Sequence, residues 1–356
     1  MQFRNILITG GAGFVGSNLA IMLKRDFSDI NVTALDNLKR RGGELNLSAL
    51  RQSGVRFEHG DVRCVEDLES FADVDLLIDC SAEPSVSAGL DGSPGYILQT
   101  NLGGTLNCLE LARRCNAAFL FLSTSRVYPI ALLNGLACVE QQTRFRWTAE
   151  TRLRGFSGKG IAEDFPMDGA RSLYGASKLA AEQVLCEYAY SYGVKALTNR
   201  CGVLAGPGQL SRTDQGVVTL WVARHYYRTP LRYIGFGGAG KQVRDVLHVR
   251  DLFDLIVCQL RSAESWNAAV YNVGGGLDRS VSLQELTTLC QSVTGKHVEI
   301  SPEPRTSDVD IRIYITDNAR VQKAYDWRPR LGVEQLLDDI HRWIDANAED
   351  LRPVLT

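Results

Sequence analysis

The sequence predicts an α/β protein built on a doubly wound parallel sheet, and three observations support this fold class. Apolar segments of strand length alternate with helical segments from residue 3 to residue 200. The first strand runs directly into a glycine-rich turn, and the second strand ends in the carboxylate of Asp36. Strands that alternate with helices form a parallel sheet that helices cover on both faces.

The predicted elements follow one another in the order that such a sheet requires. Residues 3–9 concentrate apolar side chains as a buried parallel strand does, and residues 14–24 are predicted as a helix with Val15, Leu19 and Leu23 facing inward. Further strands are predicted at residues 32–36, 55–59, 75–80, 118–122 and 196–200. Further helices are predicted at residues 64–72, 96–115 and 172–192.

Gly10, Gly13 and Gly16 occupy the turn between the first strand and the first helix. Because glycine has no Cβ, a pyrophosphate can approach the backbone there, and the amides and dipole of the helix N-terminus favour its negative charge. A tight turn without a ligand is the alternative for the glycines alone. Asp36 follows about twenty residues later, where a dinucleotide fold binds the adenosine ribose. The combination predicts a Rossmann-type sheet.

Asp36 also bears on the choice of cofactor. Its carboxylate would meet the 2′-phosphate of NADP as a like charge, so the sequence favours NAD. Arg40 and Arg41 lie close by in sequence and partly offset this preference.

Tyr174 and Lys178 open a predicted helix and lie four residues apart, so both side chains share one helix face. A phenol with a pKa of about 10 is a poor base at neutral pH, but a neighbouring ammonium favours the phenolate. Lysine can also hold the nicotinamide ribose. The alternative is an ordinary amphipathic helix with a surface Tyr and Lys. After the glycine pattern, the pair predicts redox chemistry on a bound dinucleotide.

Thr124 is the candidate for a third catalytic residue. It lies in Ser123-Thr124-Ser125, just after a predicted strand. Ligands of doubly wound sheets bind at the carboxyl ends of strands, so a hydroxyl there can bond a sugar oxygen beside the phenol. The alternative is that these hydroxyls end the strand by bonding their own backbone.

Composition excludes several function classes. With 45% hydrophobic residues and a net charge of −2, the 356-residue chain can bury a large core. Basic and acidic residues balance, so no nucleic-acid partner is expected. Apolar runs stay below about 18 residues and no signal peptide is recognised, so we expect no membrane contact and a cytoplasmic location. The nine cysteines and five histidines show no metal-ligand spacing, so no metal is expected.

The chain is expected to divide into two regions. Residues 1–203 are predicted as the dinucleotide-binding domain, with a long polar loop inserted at residues 129–171. Residues 204–356 are richer in Gly and Pro connections and are predicted as a smaller, mixed substrate-binding region, interleaved with the first domain.

Several segments resemble the extended short-chain dehydrogenase/reductases that act on nucleotide sugars, over nearly the whole chain. They are TGGAGFVG (9–16), Asp36-Asn37, GDVR (60–63), NLGGT (101–105), STSRVY (123–128), YGASK (174–178) and RDVLHVRD (244–251). The long segment before YGASK, Asp214-Gln-Gly and GKQVRDVLH (240–248) are similar to the CDP-tyvelose (CDP-paratose) 2-epimerases.

The resemblance implies a set of site residues. It implies that NAD is contacted by Gly10, Gly13, Phe14, Val15, Gly16, Asp36, Asn37, Asp61, Val62, Ser81, Ala82, Asn101, Ser123, Tyr174 and Lys178. It implies Thr124, Tyr174 and Lys178 as the catalytic residues. It implies a nucleotide-sugar site formed by Thr124, Ser125, Arg126, Gln215, Arg244 and Arg305. It also implies a homodimer formed through the two long helices.

For two of the substrate residues, an alternative remains. Arg244 and Arg305 could be surface arginines that pair with Asp245 and Asp308. The guanidinium, with its fork of N–H donors, also suits the diphosphate of a nucleotide sugar.

Several reactions share this machinery, and the residues after Thr124 help to choose among them. The 4,6-dehydratases of the family have an Asp-Glu pair there, whereas this chain has Ser125 and Arg126. Neither side chain readily supplies the acid and base that elimination needs. We therefore expect an NAD-dependent nucleotide-sugar epimerase, and the resemblance implies the CDP-paratose/CDP-tyvelose 2-epimerase type. A 4-epimerase, a 4,6-dehydratase, a reductase and a noncatalytic NAD-binding sensor are the alternatives.

Overall fold

The computed structural model describes residues 2–90, 92–148, 150–211 and 215–356. These residues form two compact units. The first contains the described residues of 1–127, 172–200 and 253–271, and the second those of 128–171, 201–252 and 272–356. The sequence predicts a boundary near residue 203 and a second region interleaved with the first domain; in the structure the chain returns to the first unit at residues 253–271. Asp214 of the Asp214-Gln-Gly segment lies outside the described residues.

The strands and helices are numbered along the chain. The strands are β1 (Asn5–Thr9), β2 (Asn31–Asp36), β3 (Arg56–His59), β4 (Leu76–Asp79), β5 (Ala118–Thr124), β6 (Cys138–Glu140), β7 (Phe145–Trp147), β8 (Phe156–Ser157), β9 (Gly160–Ile161), β10 (Ala196–Cys201), β11 (Val203–Ala205), β12 (Leu231–Ile234), β13 (Val243–His248), β14 (Ala269–Val273), β15 (Ser280–Ser282), β16 (Ile300–Glu303) and β17 (Ile313–Tyr314). The helices are α1 (Phe14–Asp26), α2 (Asn46–Gln52), α3 (Val65–Glu69), α4 (Gly95–Leu98), α5 (Gly104–Cys115), α6 (Ile130–Asn134), α7 (Leu173–Tyr192), α8 (Val217–Tyr227), α9 (Val249–Leu260), α10 (Leu283–Thr294), α11 (Ala319–Tyr325), α12 (Val333–Ala346) and α13 (Ala348–Leu355).

A seven-stranded sheet organises the first unit, in the order β14-β10-β5-β4-β1-β2-β3. β1 pairs in parallel with both β2 and β4, so successive strands are added on one side of β1 and then on the other. This reversal creates a crevice at the carboxyl ends of β1 and β4, where ligands of doubly wound sheets bind. The predicted Rossmann-type sheet is confirmed, and β14 adds a strand that the sequence did not predict.

The helix predicted at residues 96–115 is interrupted. It consists of α4, a π-helical turn at Gln99–Gly103 and α5. π-Helical turns are rare and occur often at functional sites. The helix predicted at 172–192 is continuous as α7. It begins at Ser172, whose hydroxyl accepts a bond from the amide of Gly175 at 3.2 Å, and it ends at Gly193, which is in the left-handed region at φ 70°.

The second unit contains smaller sheets. β13 pairs with β11, β15 and β17, while β12 pairs with β16. Apolar faces of α8, α10 and α12 form its main core. The segment 129–171, for which an irregular loop was expected, contains α6 and the hairpins β6–β7 and β8–β9. Strands of two or three residues are too short to give a readable periodicity.

Among the described residues, no helix has the length and apolarity that crossing a bilayer requires.

Candidate functional site

The glycine turn sits at the N-terminus of α1, and its shape depends on missing side chains. A Cβ on Gly16 would lie 2.3 Å from the carbonyl oxygen of Gly10, and one on Gly11 would lie 2.6 Å from the Cβ of Ala34. Gly10 has a φ of +63°, which favours glycine. The amide of Gly13 closes the turn by bonding the oxygen of Gly10 at 3.0 Å.

The first turn of α1 fits an anion. Gly13 is the N-cap and offers no side-chain bond, and no acidic residue lies in the first turn. The amides at a helix N-terminus have no partner within the helix, and with the helix dipole they attract negative charge. This part of the structure therefore has the donors that a pyrophosphate needs.

Asp36 ends β2 beside this turn. Its carboxylate accepts hydrogen bonds from the amide of Ala12 at 3.1 Å and from the amide of Leu38 at 2.8 Å. Burial raises the pKa of Asp36, and the backbone bonds only partly counter this effect. The carboxylate thus links the glycine turn to the end of β2.

Asp61, predicted beside the adenine, lies in a charged cluster. Asp61 forms an ion pair with Arg63 at 2.5 Å and accepts a bond from the side chain of Asn37 at 2.9 Å. The Arg63 bond holds the pKa of Asp61 well below its usual range. The ring of Tyr96 lies 4.8 Å from the Arg63 guanidinium and 4.1 Å from the ammonium of Lys39. Sequence motifs gave no signal for Tyr96 or Lys39.

Val62, the other predicted adenine neighbour, is buried at 7% exposure. Its carbonyl oxygen accepts a bond from the side chain of Asn107 at 2.8 Å. A Cβ on Gly104 would lie 2.5 Å from its side chain, so α5 packs closely against this residue.

Ser81 is tied to Asp79, a fully buried carboxylate at the end of β4. The amide and hydroxyl of Ser81 donate to Asp79 at 3.0 and 2.6 Å. Thr9 and Thr105 donate to the same carboxylate at 2.7 and 2.8 Å. Four donors satisfy this buried charge at the carboxyl edge of the sheet. Ala82 follows, half-buried. Sequence reasoning missed Asp79.

Asn101 lies in the π-helical turn and is fully buried. Its amide oxygen accepts from the backbone of Glu83 at 2.7 Å, and its amide nitrogen donates to the Glu83 carbonyl at 3.1 Å and to the Ser177 hydroxyl at 3.1 Å. Asn101 therefore joins the segment after β4 to α7, one residue before Lys178.

The three predicted catalytic residues belong to the first unit. Lys178 is 1% exposed, and its ammonium lies 4.1 Å from the centroid of the Phe121 ring. Tyr174 is half-buried one turn earlier on α7. Thr124, at the end of β5, is 7% exposed and accepts a bond from the amide of Arg126 at 3.1 Å.

The bond to Thr124 corresponds to the alternative considered from sequence, in which the hydroxyl bonds its own backbone. This bond leaves the hydrogen of the Thr124 hydroxyl unused. Accepting a bond uses a lone pair, so the hydrogen can still be donated to a substrate oxygen. Ser125 and Arg126 follow in a short 3₁₀ helix, Ser125–Val127.

The remaining predicted substrate residues belong to the second unit. Arg244 pairs with Asp310 at 3.1 Å, not with Asp245, and its guanidinium also donates to the carbonyls of Val243 at 2.8 Å and Ile311 at 2.5 Å. Burial lowers the pKa of Arg244. Arg305 is exposed, and Gln215 is half-buried.

A metal site was not expected from the sequence. Within residues 2–90, 92–148, 150–211 and 215–356, no group of three or more His, Cys, Asp and Glu side chains could hold a metal ion.

The fold and the glycine turn define a dinucleotide-binding protein with a Tyr-x-x-x-Lys helix beside its sheet. Residues 6–274 match the NAD dependent epimerase/dehydratase family, and the chain belongs to this family. The family resemblance found in the sequence is confirmed.

Relatives within the family differ in reaction. The chain is 30% identical to CDP-paratose 2-epimerase of Salmonella typhi, over 96% of this chain and 99% of that protein. It is 28% identical to a dTDP-glucose 4,6-dehydratase of Xanthomonas campestris, over 98% and 95%. A solved UDP-glucose 4-epimerase of Thermus thermophilus in complex with NAD is 26% identical, with a TM-score of 0.76 and coverage of 96% and 99%.

The prediction of NAD as cofactor is confirmed, since the family is NAD dependent and solved relatives carry NAD. The uncapped first turn of α1 and the carboxylate of Asp36 are the features that fit it.

Proposed function

We propose that this protein is an NAD-dependent nucleotide-sugar epimerase that acts at C2 of a CDP-linked deoxyhexose. The observation that carries the proposal is the set Thr124, Tyr174 and Lys178 without an acidic pair after the threonine. The 30% identity to a CDP-paratose 2-epimerase along nearly the full chain supports the substrate class.

Each catalytic residue has a distinct task. Gly10, Gly13, Gly16 and Asp36 would hold NAD, which would supply the acceptor for a hydride from the sugar carbon and the donor for its return to the opposite face. Tyr174 takes the proton from the sugar hydroxyl and gives it back to the same oxygen. Lys178 stabilises the negative charge on the phenol oxygen. Thr124 donates a hydrogen bond to the reacting sugar oxygen.

The burial of Lys178 strengthens its proposed effect on Tyr174. Its ammonium lies against the Phe121 ring and is almost fully removed from solvent. A charge acts more strongly on a neighbour where water is excluded. A buried lysine one turn after the phenol therefore suits a base that must work near neutral pH.

The residues after Thr124 argue against dehydration. Elimination of water needs one group that removes a proton from carbon and another that protonates the leaving hydroxyl. Ser125 and Arg126 are poor groups for both tasks, and the Arg126 amide is used to hold Thr124. A return of hydride and proton needs no further acid or base.

We also propose that Arg244, Arg305 and Gln215 contact the substrate. The bonds from Arg244 to Asp310, Val243 and Ile311 use three of its five N–H groups and orient the guanidinium. Within the described part of the chain, the Nε–H group and one Nη1–H group make no such bond, and we propose that they donate to phosphate oxygens. In the first unit, Ser125 and Arg126 are proposed to face the sugar.

A homodimer is proposed through α5, with the preceding α4, and α7. Leu98 and Leu106 lie eight residues apart and are 37% and 40% exposed, and Tyr190 on α7 is 89% exposed. Exposed apolar side chains on neighbouring helices suit a helix-to-helix contact with a second copy. Leu106→Asp is expected to give monomers in sedimentation velocity; an unchanged dimer would contradict this interface.

A cytoplasmic location is also proposed. Seven cysteines are free thiols: Cys64, Cys108, Cys115, Cys138, Cys186, Cys258 and Cys290. Free thiols in this number are typical of a reducing compartment.

Two measurements test the function. Mass spectrometry of ligands retained through purification is expected to find NAD together with a CDP-sugar. Incubation with CDP-paratose is expected to give its C2 epimer without net reduced cofactor. A dehydrated keto sugar, or one equivalent of reduced cofactor for each sugar, would contradict the proposal. A noncatalytic sensor would bind NAD and turn over nothing.

A further inference from the structure

A buried ion pair and a hydroxyl join three elements of the first unit. The guanidinium of Arg200 donates to Oε1 of Glu182 at 3.1 Å and to Oε2 at 2.7 Å, and the hydroxyl of Ser123 donates to Oε1 of the same carboxylate. The exposures of Ser123, Glu182 and Arg200 are 5%, 3% and 6%. We call these three residues the buried clamp. Neither the sequence motifs nor the proposed chemistry uses Glu182 or Arg200.

The buried clamp lies directly behind the proposed catalytic residues. Glu182 follows Tyr174 and Lys178 on α7 at intervals of eight and four residues, so the three share one helix face. Ser123 immediately precedes Thr124 on β5. Arg200 lies on β10, the strand beside β5 in the sheet.

Two contacts from β5 therefore reach the same face of α7. Phe121 contacts the ammonium of Lys178, and Ser123, two residues further along the strand, bonds Glu182. Residues two apart on a strand point to the same side. Of these two contacts, only the one from Ser123 to Glu182 is a hydrogen bond. Because hydrogen bonds are directional, it fixes the end of β5 against α7.

Arg200 also controls the charge near the proposed base. A lone Glu182 carboxylate would oppose the effect of the Lys178 ammonium on Tyr174. The bonds from Arg200 neutralise that carboxylate within the buried clamp. Removing either partner would leave an uncompensated buried charge, so both are needed for a stable arrangement.

We propose that Ser123, Glu182 and Arg200 are positioning residues that hold the Thr124 hydroxyl in place to bond the sugar oxygen whose proton Tyr174 takes. The proposal rests on the catalytic roles given above to Thr124, Tyr174 and Lys178. Ser123 then acts through Glu182, whereas the family resemblance implied a contact with NAD. The two roles for Ser123 give different results when its hydroxyl is removed.

The test is Ser123→Ala, which keeps the Glu182 and Arg200 ion pair intact. The reduction rate of enzyme-bound NAD is followed by cofactor fluorescence after mixing with CDP-paratose, UDP-glucose or dTDP-glucose. A reduction rate about tenfold or more below wild type is expected, since small displacements of reacting groups are costly. The Kd for NAD and the KM for the sugar are expected to stay unchanged. Ser123→Thr, which keeps a hydroxyl, is expected to restore most of the rate.

Gln259→Met is the matched control. Asn199, the neighbour of Arg200 on β10, points to the opposite face of the sheet and exchanges two 2.9 Å bonds with Gln259. This variant is expected to lower the unfolding temperature while the reduction rate stays at the wild-type value. If Ser123→Ala slows the reaction no more than this control does, or if it mainly raises the Kd for NAD, the positioning role is overturned.

The proposed function and the proposed role of the buried clamp are tested by different measurements. The product of the wild-type reaction decides between epimerisation and dehydration, while the ratio of variant to wild-type reduction rates decides the role of the buried clamp. Absence of cofactor reduction by all three sugars in the wild type would overturn both proposals.

Discussion

Gly16→Ala should weaken NAD binding strongly, because the new methyl group has no room. Its Cβ would lie 2.3 Å from the carbonyl oxygen of Gly10 and 2.9 Å from the Cα of Gly11, whereas ordinary contact begins at 3.4 Å. The atoms that it meets are backbone atoms, so the glycine turn must move by about 1 Å. That shift is large enough to break a hydrogen bond between a turn amide and a phosphate.

The expected loss of NAD affinity follows from the hydrogen bonds between turn amides and the phosphate that the substitution would break. A hydrogen bond to a charged group contributes about 1.5–3 kcal/mol. Losing one such bond weakens binding by about tenfold to hundredfold, since about 1.4 kcal/mol corresponds to a factor of ten. Calorimetric titration of NAD into cofactor-free protein measures the change directly.

Gly103→Ala is the control for this experiment. Gly103 is also in helical conformation, but a Cβ there meets nothing within 4 Å. This variant should keep the wild-type Kd and fold. Equal Kd values for Gly16→Ala and wild type would refute the steric argument and the assignment of the turn as the pyrophosphate site.

Three further predictions concern single side chains. Tyr174→Phe should lower turnover by about 10²–10⁴-fold, with unchanged NAD affinity and unfolding temperature; turnover near the wild-type value would exclude Tyr174 as the base. Because burial raises the pKa of Asp36 above 3.8, NAD affinity should be full above that raised pKa and fall as the pH drops through it. Titrations at several pH values should show this fall in the wild type, and a flat profile for Asp36→Asn. Asp79→Asn should lower the free energy of unfolding by about 1–3 kcal/mol, because the buried carboxylate accepts four bonds; a denaturant midpoint equal to wild type would contradict this.

The central sheet could be predicted from the sequence because its signals are local. Buried parallel strands are apolar along their length, and Gly13 and Gly16 are required by contacts with Gly10, which lies within six residues of both. Gly16 meets Gly10, and Ala12 bonds Asp36 at the end of the neighbouring strand. The fold and cofactor predictions depended on these features and were confirmed.

Features that depend on contacts between residues far apart in the sequence could not be predicted from local patterns. Asp79 looked like an ordinary strand end, and its four donors come from three separate segments. From the sequence, the ion-pair partner considered for Arg244 was its neighbour Asp245. In the fold, Arg244 pairs with Asp310, which lies 66 residues further along the chain. Adjacent residues on β13 point to opposite faces, which makes a neighbour pair unfavourable. The π-helical turn around Asn101 likewise has no sequence period that would reveal it.

The most direct test of the proposed function is the fate of hydrogen at the epimerised carbon. The purified enzyme is incubated with CDP-paratose in deuterated water, and the product is examined by nuclear magnetic resonance. Because Tyr174 exchanges a proton only with oxygen, while the carbon-bound hydrogen leaves and returns within the site, the C2 epimer should carry no deuterium at C2. Deuterium at C2, or a dehydrated keto sugar in place of the epimer, would contradict the proposed mechanism.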